Sequence, residues 1–342
     1  MTVRDLQPDT IRAHELYGDF WFNSGPLPVS ALRGKVILIH FWDYTCVHCV
    51  RTLPYLREWS LKYRDYGLVV IGVHTPKFPF GRNPEEVQKA IDRLGITHPI
   101  VMDNESLIAT SYGSRAWPSL YLVDRNGFIR LQSVGEGEYG AVEHMVQSLL
   151  YDAGVDGELP LPMGAIRDED KPGAICYRVT PEVFTGYTRG TIGNVEGYTP
   201  ESVVEYRDPH IYIDGRFYAE GSWMNDRNSI RFNGEEGQSG SLVVSYRALE
   251  VSVVVKPEGD KTMNVEVHQD DLPLAQGNRG DDIRVAADGR SYLQVDGPRS
   301  YNLVRNKEFG EHVLRLTTAK KGCAVYSFTF VSCVVSELIS TS

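Results

Sequence analysis

The sequence is poor in cysteine and has no long apolar run. Only five of its 342 residues are cysteine, which is too few for a disulfide scaffold in a chain of this length. It contains no stretch of about 18 apolar residues, and its first residues include no apolar core of a signal peptide. From these two absences we expect a soluble, cytoplasmic protein without a membrane span.

An excess of basic residues is also lacking. The chain has 35 Lys and Arg residues against 45 Asp and Glu residues, for a formal net charge of -10. Residues 1–152 carry a net charge of -2 and the remaining residues a net charge of -8. No nucleic-acid partner is expected, because such a chain has no basic face to neutralise phosphates.

Cysteine and histidine pairs with metal-ligand spacing are scarce. Cys46 and Cys49 form the single C-x-x-C, and a zinc site needs two further ligands at similar spacing. We therefore expect no metal and no organic cofactor. Cys176, Cys323 and Cys333 are predicted to be buried free thiols. A strand-like run separates Cys323 from Cys333, and a strand would hold those two residues too far apart to pair.

The C-x-x-C lies between a predicted strand and a predicted helix. Residues 35–40 form an apolar run typical of a buried parallel strand. After the motif, apolar residues recur at helical spacing, at Val50, Leu53, Leu56 and Trp59. The first turn of a helix favours a thiolate, because its orphan N–H groups and its dipole are positive there. We predict that Cys46 is the exposed nucleophile and that Cys49 forms or resolves a disulfide with it.

His48 lies inside the motif. If cationic, it would lower the thiol pKa further and make the disulfide more oxidising. Two other interpretations of the motif are half of a zinc site and a pair of inert core cysteines. A redox-active pair is favoured over both, because a C-x-x-C in a βαβ context is typical of redox chemistry.

Residues 1–152 alternate between strand-like and helix-like patterns. This alternation predicts an α/β domain with a parallel-based sheet. Asn83, followed by proline, is the predicted N-cap of one helix. The Asn126-Gly127 pair between two apolar runs predicts a β-hairpin.

The composition changes after residue 152. Residues 153–174 are rich in glycine and proline and are predicted to be a linker. In residues 175–342 short β-rich runs alternate with turn residues, which predicts an all-β antiparallel sandwich, and specifically a jelly roll. No catalytic constellation is visible there. Some aromatic residues could stack on a sugar ring, although core positions are favoured for most of them; the candidates are Tyr212, Tyr218 and Trp223.

Several motifs of the first half resemble those of the thioredoxin fold. The residues concerned are Phe41-Trp42, Cys46, Cys49, Trp117-Pro118 before a hairpin, and a closing helix. The extra helix and strand within residues 76–102 are similar to the TlpA, ResA and DipZ family of thioredoxin-like proteins. Residues 52–56, 73–76 and 135–139 most resemble the soluble C-terminal region of DipZ. Residues 180–187 and 219–223 resemble its second domain, which is similar to carbohydrate-binding modules.

This resemblance implies a thiol–disulfide oxidoreductase acting on protein substrates through Cys46 and Cys49. It also implies a cis peptide bond at Pro118, whose backbone would receive the extended substrate chain. Trp117 would then shape the rim of the substrate groove, or else pack in the core. Trp42, His48 and His40 are candidates for tuning the thiol pKa.

His40 departs from the family pattern. It stands six positions before Cys46, where thioredoxins place a buried acid that accepts the proton of the second thiol. A neutral imidazole there could take a proton from Cys49, whereas a satisfied core histidine is the simpler interpretation. The direction of electron flow is therefore open.

Two other functions compete with this prediction. The first is a peroxide reductase like the peroxiredoxins of the AhpC/TSA type, which share the fold. Their P-x-x-x-T-x-x-C motif is not matched before Cys46, where threonine is directly adjacent. The second is a non-enzymatic adaptor, in which the second domain holds a glycan or a protein and the dithiol has no function.

Overall fold

The computed structural model describes residues 2–7, 10–171, 173–259 and 262–334. Pro172 of the predicted linker and residues 335–342 of the predicted second domain lie outside this set. The chain divides into two units, Met1–Gly173 and Ala174–Ser342, called here the first and the second unit. No helix in the described part of the chain is long and apolar enough to cross a bilayer.

The first unit alternates strands and helices, as the sequence predicts. Its strands are β1 (Thr2–Asp5), β2 (Trp21–Phe22), β3 (Val36–Trp42), β4 (Leu68–His74), β5 (Ile100–Met102), β6 (Ser119–Val123) and β7 (Ile129–Val134). Its helices are α1 (Val47–Tyr63), α2 (Pro84–Leu94), α3 (Leu107–Ser111) and α4 (Tyr139–Asp152). The strand order is β1-β7-β6-β3-β4-β5-β2. Strands β3, β4 and β5 are parallel, and β6 and β7 are antiparallel to their neighbours, which confirms the predicted α/β sheet.

Strand β3 is the centre of this sheet and leads directly to the C-x-x-C. All seven of its residues are buried, as expected for a strand covered on both faces. Its carboxyl end at Trp42 lies beside the carboxyl end of β4 at His74, because the two strands are parallel and in register. Such an edge is where α/β sheets present their functional groups.

The helix cap and the hairpin turn predicted in the first half are both present in the structure. The side chain of Asn83 accepts the N–H of Glu85 at 2.8 Å and caps α2. The Asp124 carboxylate accepts two N–H groups of the hairpin turn, each at 2.9 Å. Gly127 has a φ of 77° there, a conformation that glycine adopts without strain. The predicted helix start and hairpin are therefore confirmed.

The stretch predicted to be a linker, residues 153–174, lies almost entirely within the first unit, and its described part is hydrogen-bonded to two helices of that unit. We call residues 159–171 the return segment. One of its backbone N–H groups donates to Glu143 Oε2 on α4 at 2.8 Å. Another donates to the hydroxyl of Tyr55 on α1, also at 2.8 Å. Glycine and proline favour an irregular backbone. The backbone of the return segment is nevertheless held by the hydrogen bonds that it donates to side chains of α1 and α4.

The second unit consists of β-strands in its described part. They are β8 (Ile175–Cys176), β9 (Val183–Phe184), β10 (Val203–Tyr206), β11 (Phe217–Asn225), β12 (Ile230–Phe232), β13 (Gly240–Lys256), β14 (Met263–Gln269), β15 (Leu272–Pro273), β16 (Ile283–Val285), β17 (Ser291–Val295), β18 (Arg299–Thr318), β19 (Ala324–Val331) and β20 (Cys333–Val334). Eleven of them form one antiparallel sheet, centred on the long strands β13 and β18. The predicted β domain is confirmed, and the jelly-roll topology stays a prediction.

The aromatic side chains of the second unit serve mainly as core. Trp223 and Tyr218 are 1% and 2% exposed, so neither offers a face to a sugar ring. Tyr212 is half-buried, and its hydroxyl donates to the carboxylate of Asp208 at 2.8 Å. The core interpretation is therefore confirmed for Trp223 and Tyr218.

Two of the three remaining cysteines were wrongly predicted to be free. Cys176 and Cys333 form a disulfide, with their Cα atoms 4.0 Å apart. The pair arises because β8 and β20 are antiparallel partners with these two residues directly opposite. Cys323 is a buried free thiol, as predicted. The sequence did not indicate the pairing, because 157 positions separate the two cysteines.

Candidate active site

A buried aspartate shapes the loop between β3 and α1. Asp43 is 2% exposed, and its Oδ1 accepts the N–H of Thr45 at 2.7 Å. Its Oδ2 accepts the backbone N–H of Lys77 at 3.0 Å, and its carbonyl accepts the N–H of Cys46 at 3.1 Å. These bonds fix the loop to its own backbone and to the segment that follows β4. Sequence reasoning missed Asp43, although an aspartate two residues before a turn threonine is a known turn signal.

The two cysteines of the motif are joined as a disulfide at the start of α1. Their Cα atoms are 5.2 Å apart. Cys46 is the N-cap residue of the helix, and its Sγ accepts the N–H of Cys49 at 3.2 Å. Cys46 is only 8% exposed, so the prediction of an exposed nucleophile is wrong for this disulfide form, and Cys49 is fully buried. The outer sulfur is therefore that of Cys46, and a helix N–H is available to stabilise its thiolate.

A cis-proline loop lies against the outer sulfur. The Trp117–Pro118 peptide bond is cis, as the resemblance implied, and the carbonyl oxygen of Trp117 is 3.9 Å from Cys46 Sγ. The carbonyl of Pro118 accepts the N–H of Gly135 at 2.9 Å. The Trp117 side chain is half-buried and packs on the core of the first unit. The structure thus brings Cys46, Trp117 and Pro118 together.

His48 reaches away from the helix to a carboxylate. Its Nδ1 is 2.9 Å from Oε1 of Glu136, which follows the glycine that contacts the cis-proline loop. Two guanidinium groups face the other oxygen: Arg51 Nε at 3.6 Å and Arg167 Nη2 at 3.5 Å. Sequence reasoning named His48 but missed Glu136, because 88 positions separate the two residues.

The surroundings of Glu136 keep it ionised. Burial alone would raise the pKa of this carboxyl group. The hydrogen bond from His48 and the positive charges of Arg51 and Arg167 outweigh burial, so the pKa of Glu136 lies below its usual value. The candidate site therefore includes a carboxylate that is negative at neutral pH.

The structure places His40 and Trp42 in the core behind the motif. Both are fully buried, and their rings are stacked with centroids 6.2 Å apart. Burial, with the nearby His98, holds the pKa of His40 well below its ordinary value, so His40 is a neutral imidazole. Neither His40 nitrogen has a hydrogen-bond partner among the described residues. Their roles in tuning the thiols stay predictions.

A second buried polar cluster lies at the same sheet edge. The His74 ring stacks on Tyr44 at 5.4 Å, and its Nε2 is 3.5 Å from Asp43 Oδ2. Burial lowers the pKa of His74, although the charges of Asp43 and Asp103 work in the opposite direction. No group of three or more potential metal ligands is present among the described residues of the chain.

Comparison with known families finds one match in each half of the chain. Residues 22–132 match the model of the AhpC/TSA family. Residues 180–330 match the model of the thioredoxin-like C-terminal domain. The first match contains the C-x-x-C, the cis-proline loop and most of the sheet, and the second contains most of the second unit.

Several individual proteins are similar to this chain. Protein DipZ of Mycobacterium tuberculosis is 31% identical over 315 residues, which are 91% of this chain and 41% of that protein. Thiol-disulfide oxidoreductase ResA of Geobacillus kaustophilus is 28% identical over 121 residues, or 35% of this chain and 67% of that protein. Protein SUPPRESSOR OF QUENCHING 1 of Arabidopsis thaliana is 33% identical over 154 residues, which are 44% of this chain and 15% of that protein. The chain thus spans about two fifths of the length of DipZ.

Proposed function

We propose that the chain is a thioredoxin-like protein that exchanges thiols and disulfides with protein substrates through Cys46 and Cys49. The matches of residues 22–132 to the AhpC/TSA family and of residues 180–330 to the thioredoxin-like C-terminal domain support this proposal. The observation that carries the proposal is the position of Cys46. Its sulfur is the N-cap of α1, accepts a helix N–H and is the outer one of the pair.

In the reducing direction the Cys46 thiolate attacks one sulfur of a substrate disulfide. A mixed disulfide forms, and the other substrate sulfur leaves as a thiolate. Cys49 then loses its proton and attacks Cys46, which releases the second substrate sulfur and leaves the Cys46–Cys49 disulfide. The substrate gains two electrons and the enzyme pair loses two. The oxidising direction is the same sequence in reverse.

The loop around Pro118 is the proposed binding place for the substrate chain. Its backbone lies next to Cys46 Sγ, at 3.9 Å through the Trp117 carbonyl oxygen. Because the Pro118 carbonyl is already bonded to Gly135, the Gly135 side of the loop is anchored. An extended substrate would therefore lie across the Trp117 side.

Trapping of mixed disulfides tests the proposal. In Cys49→Ser the resolving thiol is missing, so partners should accumulate as disulfides with Cys46. The control is the Cys46→Ser, Cys49→Ser variant, which keeps the three cysteines of the second unit. Partners captured by the first variant and absent from the control support the proposal. Equal capture by both variants contradicts it.

A peroxide reductase is the second candidate, because residues 22–132 match the AhpC/TSA family. In such an enzyme the Cys46 thiolate would attack one oxygen of the peroxide and break the O–O bond, which gives a sulfenic acid on Cys46 and releases hydroxide. The Cys49 thiol would then condense with the sulfenic acid to give the disulfide and water. Stopped-flow oxidation of the reduced protein with hydrogen peroxide separates the two. A rate near that of a free thiol favours the oxidoreductase, and a rate several orders of magnitude higher favours the peroxidase.

The compartment is a separate proposal. The sequence led to the expectation of a cytoplasmic protein. The Cys176–Cys333 disulfide supports an oxidising compartment instead, because structural disulfides are rare in a reducing cytosol. Cell fractionation, with the redox state of Cys176 measured in each fraction, decides between them.

A further inference from the structure

A chain of polar contacts connects the return segment to the C-x-x-C. The Asp170 carboxylate accepts the hydroxyl of Tyr55 on α1 at 2.8 Å. It also accepts two bonds from the Arg167 guanidinium, at 2.8 and 2.7 Å. Arg167 then faces Glu136 at 3.5 Å, and Glu136 holds His48 at 2.9 Å. Residues beyond the last helix of the first unit thus connect to the side chain of His48, the residue between the two cysteines in the sequence.

The geometry fixes the proton of His48 as well as its ring. An ionised carboxylate is only an acceptor, so the Nδ1 of His48 must carry a hydrogen when it bonds to Glu136. In the neutral ring the Nε2 atom is then the acceptor nitrogen. Because His48 is 37% exposed and Glu136 only 18%, the carboxylate is the anchored partner and the imidazole the one that meets solvent.

We propose that Glu136, held by Arg167 of the return segment, is a positioning residue that fixes the ring and the proton of His48 and thereby sets the thiolate fraction of Cys46 and the reduction potential of the Cys46–Cys49 pair. The inference rests on the proposed function. It adds to that function a role for a segment that the composition marks only as a linker.

The charged and titratable groups around this contact support an effect through His48. On α1 the cation is Arg51, and on the return segment the charges are Arg167 and its partner Asp170. The remaining groups are the hydroxyls of Tyr55 and Tyr139, which burial keeps neutral by raising the pKa of each to about 12. The two guanidinium groups offset the negative field of Glu136 at the dithiol. Its remaining influence is the hydrogen bond that orients the His48 ring.

A double-mutant cycle tests the inference. The variants are Glu136→Gln, His48→Asn and the two together. The measurements are the equilibrium constant of the dithiol with glutathione and the pH dependence of Cys46 alkylation by iodoacetamide. Glu136→Gln should make the disulfide less oxidising by roughly threefold in that constant at pH 7, because a neutral amide no longer fixes the orientation and the tautomer of the His48 ring. In the His48→Asn background the same change should have almost no effect.

The alkylation profile gives a signature that a merely structural role would not produce. The profile should differ between the wild type and Glu136→Gln, and this difference should be absent in the His48→Asn background. Glu138→Gln is the matched control, because it removes the same charge from an exposed position in the same loop. It should leave both the constant and the profile unchanged.

The role of Arg167 is tested by measuring which tautomer neutral His48 adopts. In the wild type, long-range proton–nitrogen spectra should show His48 carrying its hydrogen on Nδ1 when neutral. Arg167→Gln should shift neutral His48 toward the Nε2–H form, and Arg167→Lys, which keeps the charge, should shift it less. A melting temperature measured for each variant separates loss of folding from loss of positioning.

Two results would overturn the inference: equal effects of Glu136→Gln with and without His48, or a Glu138→Gln effect as large as that of Glu136→Gln. Alkylation of reduced Cys46 needs no substrate protein. The cycle can therefore fail while partner trapping succeeds, or succeed while trapping fails, so the inference and the proposed function are judged separately.

Discussion

The chain carries two disulfides that are built in opposite ways. Cys46 and Cys49 are three residues apart at the start of α1, and a backbone N–H bonds to the outer sulfur. Cys176 and Cys333 are 157 residues apart and join two paired strands of the second unit. Reduction of the first disulfide breaks no link between distant parts of the chain. The second disulfide closes a loop that contains most of the second unit.

The comparison shows that the place of a cysteine in the fold determines its chemistry. A thiolate at a helix start is stabilised and reactive. A bond that closes a long loop restricts the unfolded chain and so stabilises the fold. Cys323 is a third case, because burial raises its pKa to about 12 and keeps it a neutral thiol. The following predictions test these differences.

The largest effect is expected for the reactive pair. Cys46→Ser should reduce disulfide exchange with a model substrate such as insulin by on the order of a thousandfold, because no other thiolate lies at a helix start. Cys176→Ser, Cys333→Ser should leave the exchange rate within about twofold. A comparable loss of rate in both variants would erase the distinction between the pairs.

The second pair should dominate stability. Removing both Cys176 and Cys333 should lower the free energy of unfolding of the second unit by about 2–5 kcal/mol, because the crosslink closes a long loop. Urea titration followed by the fluorescence of the buried Trp223 measures this change. Serine at Cys46 and Cys49 is the control and should cost far less, since that loop is only three residues long.

Attachment of the return segment should depend on pH. Glu143 accepts bonds from Lys62 Nζ at 2.8 Å, from the Tyr63 hydroxyl at 2.6 Å and from a return-segment N–H at 2.8 Å. Burial works to raise its pKa, but these bonds and the Lys62 charge lower it below the usual value of 4.5. The stability that Glu143 contributes is therefore present above pH 4.5 and lost as the pH falls through the lowered folded-state pKa.

Glu143→Gln should destabilise the first unit by about 2 kcal/mol at pH 7 and by much less at pH 3. Thermal unfolding across that pH range measures the difference. The control Glu138→Gln changes an exposed carboxylate near the start of the same helix. If Glu143→Gln costs the same at both pH values, the ionised form of Glu143 is not what holds the segment.

The smallest effect is expected for the buried thiol. Cys323 should remain unlabelled by iodoacetamide in the folded protein at pH 8, because burial both shields it and keeps it protonated. Cys323→Ala should cost about 1 kcal/mol of unfolding free energy and leave exchange unchanged. Rapid labelling of Cys323 under native conditions would contradict the claim that burial makes this thiol unreactive.

What the sequence predicts well is local. A strand followed by C-x-x-C and a helical repeat places Cys46 at a helix start, and Asn83 and Gly127 mark a cap and a turn that the structure contains. These features depend on neighbours a few positions away, where propensity and spacing act directly. The cis bond at Pro118 followed from family resemblance and not from spacing.

What it does not predict depends on distant pairing. Glu136 reaches His48 across 88 positions, and Cys176 meets Cys333 only because β8 and β20 pair. The composition of residues 153–174 indicates a linker, yet hydrogen bonds to Tyr55 and Glu143 hold it. In each case the two partners meet only because of the fold of the whole unit. A short segment of sequence carries no information about that contact.

A redox titration with differential alkylation tests the central claim most directly. The folded protein is equilibrated in glutathione buffers of graded potential, and the oxidised fraction of each cysteine is read by mass spectrometry. The account predicts that Cys46 and Cys49 titrate together within the range of the buffers while Cys176 and Cys333 stay oxidised throughout. If the Cys176–Cys333 pair is reduced first, or if Cys46 and Cys49 never form a disulfide, the account is contradicted.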